Sequence, residues 1–209
     1  MKNYDLVDIE NWNRKELYEF FKTFEEPYFG ITAIVDVTKA YINAKTAGVS
    51  FFSYYLHASL SAVQLISAFR YRILDDNVID YHTIHASATI ERTDGSFGFS
   101  FIEYDKDRFV FMQNITKETQ RISKSRNLFP DRIGDDVIHY SALPWVNFTS
   151  LSHARKYKTK DSVPKISFGK SELNNGKRTM ACSVHAHHGL ADGKDVGQYF
   201  SLFQTLLDS

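Results

Sequence analysis

Val184-His185-Ala186-His187-His188-Gly189-Leu190-Ala191-Asp192-Gly193 separates a run with strand character, Thr179 to Ala186, from the last amphipathic segment of the sequence. Strand ends that lead into helix starts are places where functional side chains are displayed. Three histidines fall within four residues, and Asp192 follows His188 by four. Such a cluster can supply a general base with a carboxylate nearby. It can equally hold a metal or be a polar strand end. Period-two alternation puts His185 and His187 on one strand face and His188 on the other, which counts against one shared zinc ion without excluding it.

Outward from this stretch the pattern alternates between helix and strand. After it, a helix is predicted from about Lys194 to Leu207, with Val196, Tyr199, Phe200, Phe203, Leu206 and Leu207 on one side. Before it, strands are predicted at Val137 to Ser141, near Val146 to Ser150, and at Lys165 to Phe168. The polar stretch Ser152 to Asp161, with Arg155, Lys156, Lys158 and Lys160, reads as an exposed loop. Asp107 to about Lys124 has helical character. Three or four short strands are predicted between Tyr71 and Tyr104, divided by Asp75-Asp76-Asn77 and Asp94-Gly95.

Nearer the start, Asn11 or Asn13 is the expected cap of a helix from about Arg14 to Phe24, with Leu17, Phe20, Phe21 and Phe24 as its apolar face. Ile31 to Val37 reads as a strand, and Thr38 as the cap of a helix from Lys39 to Ala47. Ser53 to Phe69 is apolar over most of its surface and should be a buried helix. Helices and strands without strict alternation indicate an α/β or α+β chain with a large mixed sheet.

At 209 residues with 43% hydrophobic side chains, one domain spanning residues 1–209 is expected. Lys plus Arg number 25 and Asp plus Glu 25, so no net field draws the chain to nucleic acid or an anionic membrane. A small-molecule substrate is the expectation. No run of about 18 apolar residues is present, and Met1-Lys2-Asn3-Tyr4-Asp5 lacks the apolar core of a secretory leader, so a cytoplasmic location is expected. Cys182, the one cysteine, sits in an apolar stretch and reads as a small core residue. The 17 Phe and 12 Tyr point to core packing or an aromatic pocket.

His187-His188-Gly189-Leu190-Ala191-Asp192-Gly193 resembles the HHxxxDG signature of chloramphenicol acetyltransferases, shared with 2-oxoacid dehydrogenase acyltransferases and peptide synthetase condensation domains. Asn11-Trp12-Asn13-Arg14-Lys15-Glu16 and Ser141-Ala142-Leu143-Pro144-Trp145-Val146-Asn147-Phe148 are similar to the chloramphenicol enzymes specifically. The resemblance covers nearly the whole chain, Ser152 to Ser162 excepted.

The resemblance implies a two-layer α/β sandwich, a large mixed sheet packed with helices, assembled as a homotrimer with active sites at subunit interfaces. It implies direct transfer of an acetyl group from acetyl-CoA to a hydroxyl in a ternary complex, with no metal. His188 is then the base and Ser141 the oxyanion donor, with Asp192 and Arg14 as an ion pair that shapes the histidine turn. Phe20, Glu25, Phe29, Phe97, Phe129 and Ser167 fall on acceptor-pocket positions, and Trp145 and Lys170 are candidates for coenzyme A.

The sequence departs from the family at several of these places. Leu190 and Ala191 replace a valine and a cysteine, and His185 a glutamine. Glu25 replaces an apolar residue, Phe99 a small one, and Ser167 a threonine. A buried carboxylate at Glu25 would disfavour a neutral aromatic acceptor. The alternatives are therefore an acetyltransferase for another hydroxyl or amine acceptor, or a non-catalytic binding homologue.

Overall fold

The computed structural model describes residues 2–155 and 161–209. Lys156, Lys158 and Lys160 of the expected exposed loop lie outside the described residues. The chain runs β1 (Tyr4–Leu6), α1 (Lys15–Phe21), β2 (Tyr28–Asp36), α2 (Thr38–Thr46), α3 (Phe51–Gln64), α4 (Ser67–Arg70), β3 (Tyr71–Leu74) and β4 (Asn77–Tyr81). It continues through β5 (His85–Glu91), β6 (Phe97–Phe99), α5 (Arg108–Lys124), β7 (Val137–Ala142), β8 (Lys165–Asn174), β9 (Lys177–His187) and α6 (Gly193–Leu207).

A six-stranded sheet in the order β2-β9-β8-β7-β5-β6 carries the fold, and β1-β4-β3 form a small antiparallel sheet beside it. In the large sheet β7 is parallel to both β5 and β8, and the other pairs are antiparallel. One face is apolar: Ile138, Tyr140, Ile166, Phe168, Cys182, Val184 and Ala186 pack with the buried side chains of α3 and α6. Cys182 is fully buried, 4.0 Å from the Tyr199 hydroxyl, and burial pushes its thiol far above the usual range.

The alternate residues of the same strands make a polar second face. Ser141, Ser167, Ser183 and Thr32 stand in register across four strands, and Thr32 Oγ1 donates to Ser183 Oγ at 3.0 Å. His139, Lys165 and His185 form the next row, followed by His187 beside Tyr28. Parts of the β7–β8 connection cover this face. His153 meets the His185 ring edge-to-face at 4.9 Å, and Asp161 accepts a hydrogen bond from Lys165 Nζ at 2.8 Å.

Several local expectations need correction. Val146 to Ser150 is not a strand but part of a turn and extended chain, because its backbone bonds outward: Lys170 N–H donates to the Val146 carbonyl at 2.8 Å. Neither Asn11 nor Asn13 caps α1. Arg14 occupies the cap position without a side-chain cap, and the Asn11 amide donates to Asp8. Nor does Thr38 cap α2; it is the first helical residue, and Asp36 accepts its N–H at 2.9 Å. The expected long helix Ser53 to Phe69 is broken after Gln64 into α3 and α4, both with buried side chains. The helix expected to reach Phe24 ends at Phe21; its buried residue is Tyr18, while Leu17 and Phe20 on it and Phe24 beyond it are exposed.

Candidate active site

β9 runs out at His187, and the chain turns through His188 to Ala191 before α6 begins. Leu190 and Ala191 N–H both donate to the His187 carbonyl, closing the turn. Asp192 caps α6: its Oδ1 accepts from Lys194 N at 2.8 Å, and Asp195 returns the bond by accepting from Asp192 N at 2.8 Å, a capping box.

The turn is pinned against α1 and β2. Arg14 Nη1 lies 2.7 Å from Asp192 Oδ2, and Arg14 Nη2 donates to the His188 carbonyl at 3.3 Å. His188 N–H donates to the Pro27 carbonyl at 2.8 Å. Gly189 faces the α1 backbone so closely that a Cβ there would sit 3.1 Å from the His187 ring and 3.3 Å from Tyr18 Cα. The Arg14 guanidinium holds the Asp192 carboxyl below the usual carboxylate range, so the pair is ionised.

The His188 ring is sandwiched by aromatics. Phe21 stacks on it at 4.2 Å and 6°, and Phe29 lies 4.5 Å away. Its Nδ1 is buried with no hydrogen-bond partner among the described residues, which leaves Nε2 as the edge that can meet a substrate proton. His187, by contrast, is spent on structure: its Nδ1 accepts from Gly189 N at 3.1 Å, and burial drives its basicity down to about 4. No group of three or more His, Cys, Asp or Glu side chains among the described residues is arranged to hold a metal ion.

Of the other candidates, Phe29 reaches His188 within the chain, whereas Ser141 and Phe97 do not. Ser141 is two strands from β9 and level with Ser183, five residues before His188. At about 4.8 Å per strand and about 3.3 Å per residue, the two side chains stand on the order of 20 Å apart. Phe20, Glu25 and Phe29 lie on the His188 side, with Phe29 in edge strand β2 and Glu25 exposed rather than buried. Phe97 is on β6 at the opposite edge of the sheet, with Phe129 stacked on neighbouring Phe99 at 5.4 Å. Ser167 is buried, 3.3 Å from His153 Nε2.

Trp145 and Lys170 are on adjacent segments. A register shift in β8 between Phe168 and Ser171 frees Lys170 from the ladder, and its N–H bonds the loop carrying Trp145. Trp145 is 69% exposed, and the Lys170 ammonium lies 3.8 Å from Glu172. Sequence reasoning missed Phe21 as a neighbour of His188 and Asp195 as a second partner of Arg14. The helical spacing of Phe21 on α1 and the Asp-x-x-Asp of a capping box were the available signals.

A family model described as chloramphenicol acetyltransferase matches residues 2–204. The chain belongs to the chloramphenicol acetyltransferase family. Chloramphenicol acetyltransferase 3 of Escherichia coli is 26% identical over 99% of this chain and 98% of its own length. The chloramphenicol acetyltransferase of Bacillus pumilus is 25% identical over 95% of this chain and 91% of its own. A solved chloramphenicol acetyltransferase structure covers 98% of this chain and 99% of that one, at 30% identity and a TM-score of 0.87. The dihydrolipoamide acetyltransferase of Azotobacter vinelandii shares the fold, with a TM-score of 0.68 over 93% of this chain at 12% identity. As a family member the chain is a CoA-dependent O-acetyltransferase with acetyl-CoA as co-substrate. Its architecture is the family's mixed α/β sandwich, a large sheet packed by helices.

Proposed function

We propose that this chain, as one acetyltransferase domain, acetylates a hydroxyl of chloramphenicol by direct transfer from acetyl-CoA, with His188 as base and Ser141 as oxyanion donor. The observation that carries the reading is the setting of His188, whose backbone is tied to Arg14 and Pro27 and whose ring lies between Phe21 and Phe29. An alcohol is a poor nucleophile at neutral pH. Removal of its proton by His188 Nε2 as its oxygen attacks the thioester carbonyl supplies about 10²- to 10⁴-fold. The tetrahedral oxyanion then accepts a hydrogen bond from Ser141. Collapse expels the coenzyme thiolate, which recovers the proton from the imidazolium.

The separation of Ser141 from His188 supports a homotrimer whose sites form between copies, with the base from one subunit and Ser141 from its neighbour. Exposed Leu17, Phe20 and Phe24 on one side and Phe97, Leu128 and Phe129 on the other supply apolar surface for such contacts. Phe20, Glu25, Phe29, Phe97, Phe129 and Ser167 would then enclose the acceptor, and Trp145 and Lys170 would meet the adenine and phosphates of coenzyme A. Among the described residues no helix is long and apolar enough to cross a membrane; the reaction we assign is cytoplasmic and uses neither membrane nor nucleic acid.

Glu25 favours one second reading. Glu25 is exposed next to the exposed Phe24, and a carboxylate carried into an interface pocket would suit a polar or cationic hydroxyl or amine acceptor better than a neutral drug. Release of free thiol from acetyl-CoA separates the two. Rapid release with chloramphenicol, lost in His188→Ala, supports the drug as acceptor. Coenzyme binding without drug turnover overturns that assignment and supports the second.

A further inference from the structure

Asp195 takes no part in the scheme above, yet it shares the arginine that holds the base. Arg14 Nη1 lies 3.4 Å from Asp195 Oδ2 as well as 2.7 Å from Asp192 Oδ2, while Nη2 reaches the His188 carbonyl. Asp195 Oδ2 is also the atom that accepts from Asp192 N at 2.8 Å. One carboxylate oxygen therefore joins the capping box to the guanidinium.

We propose that Asp195 is a positioning residue for acetyl transfer: with Asp192 it clamps Arg14 between two carboxylates and, through Arg14, fixes the His188 backbone. The proposal rests on His188 as the base.

Capping alone does not account for an acidic residue here. An asparagine or serine would accept the Asp192 N–H without placing a second negative charge three residues from the first. The second charge is costly: burial above all, and then the Asp192 carboxylate, push the Asp195 carboxyl above the usual range, against the hydrogen bond from Asp192 N–H and, after it, the Arg14 cation. Asp192 cannot do the whole task. Its Oδ1 is occupied by Lys194 N and Asp195 N, which leaves Oδ2 alone for the guanidinium.

Arg14 also needs the help. Its Nε is buried with no partner among the described residues, so the orientation of the group depends on its two terminal nitrogens. One ion pair leaves the guanidinium free to swing about that contact, whereas a second acceptor removes the swing and keeps Nη2 aimed at the His188 carbonyl. The same residue occupies the cap position of α1, the helix whose other end carries Phe21 onto the imidazole. A shift of Arg14 would therefore move both the backbone and the ring support of the base.

The test compares Asp195→Asn with the native enzyme, each with and without Arg14→Ala, by steady-state acetyl transfer and melting temperature. Asn keeps an oxygen for the cap and removes the charge. We expect kcat to fall about tenfold, short of the roughly hundredfold that a 1 Å misplacement can cost, with KM for acetyl-CoA and the melting temperature unchanged. In the Arg14→Ala background the same substitution should add nothing. An unchanged kcat, an equal loss in both Arg14 backgrounds, or a loss that tracks the melting temperature would overturn the proposal. Full activity of His188→Ala would instead overturn the assignment of the base.

Discussion

Phe21 and His188 lie face to face, their ring centroids 4.2 Å apart and their planes 6° from parallel. A ring held this way cannot turn about its own Cβ–Cγ axis without leaving the stack, so the direction of Nε2 is set by α1. Phe21→Ala should lower kcat about tenfold or more while leaving KM for acetyl-CoA unaltered, because the coenzyme candidates are on β8 and the preceding loop. Steady-state kinetics with both substrates varied reads the difference; a rise in KM alone would show that the ring serves binding.

His188→Ala should reduce kcat by about 10²- to 10⁴-fold and Ser141→Ala by about 10²- to 10³-fold, with coenzyme binding retained in both. Refolding the two inactive variants together is the sharper experiment. If each site draws His188 and Ser141 from different subunits, random assortment restores about one quarter of the sites. An inactive mixture would place both residues in one subunit's site.

Stability should fall steeply on acidification. Burial holds His139, His153 and His187 at about 4, with nearby cations adding to the effect for all three. Unfolded, each would titrate near 6.5. Between about pH 6.5 and pH 4 the unfolded chain therefore binds more protons than the folded one, and stability present above that window is lost as pH falls through it. Urea midpoints measured from pH 7.5 to pH 4.5 should decrease monotonically; a flat series would show that these histidines are not neutral in the fold.

Gly30 is a steric partner of His185. A Cβ at Gly30 would lie 2.4 Å from His185 Nε2, so Gly30→Ala must displace the imidazole from its contact with His153. We expect a cost of about 1–3 kcal/mol, the range for overpacking, and partial recovery when His185→Ala is added. Thermal melts of the single and double variants check it, since an additive loss would mean the two positions do not touch.

Residues near His188 in sequence were the legible part of the site. The signature places His188, its turn and Asp192 within one strand-to-helix junction, and local spacing suffices to read them. Arg14 was found through a motif, because nothing in the pattern around Trp12 says which carboxylate it meets. Phe21 and Asp195 were missed since their roles arise from a stack and a shared guanidinium that pair distant segments. The caps failed for a similar reason: Asn11 and Thr38 are good capping types, but Asp8 and Asp36 engage their side chains first. The Val146–Ser150 stretch looked like a strand by composition, whereas its backbone partner is the irregular part of β8.

The hydroxyl row Thr32, Ser183, Ser167 and Ser141 occupies alternate positions of the strands whose intervening residues build the apolar layer. Folding and chemistry are thereby written on separate letters of the same words. Directed evolution of acceptor range can vary the hydroxyl positions of β7 to β9 and leave untouched both the side chains that hold the helices and the structural His187 and Lys165 of the same face. Such libraries should yield many soluble variants, in contrast to libraries drawn from the intervening positions.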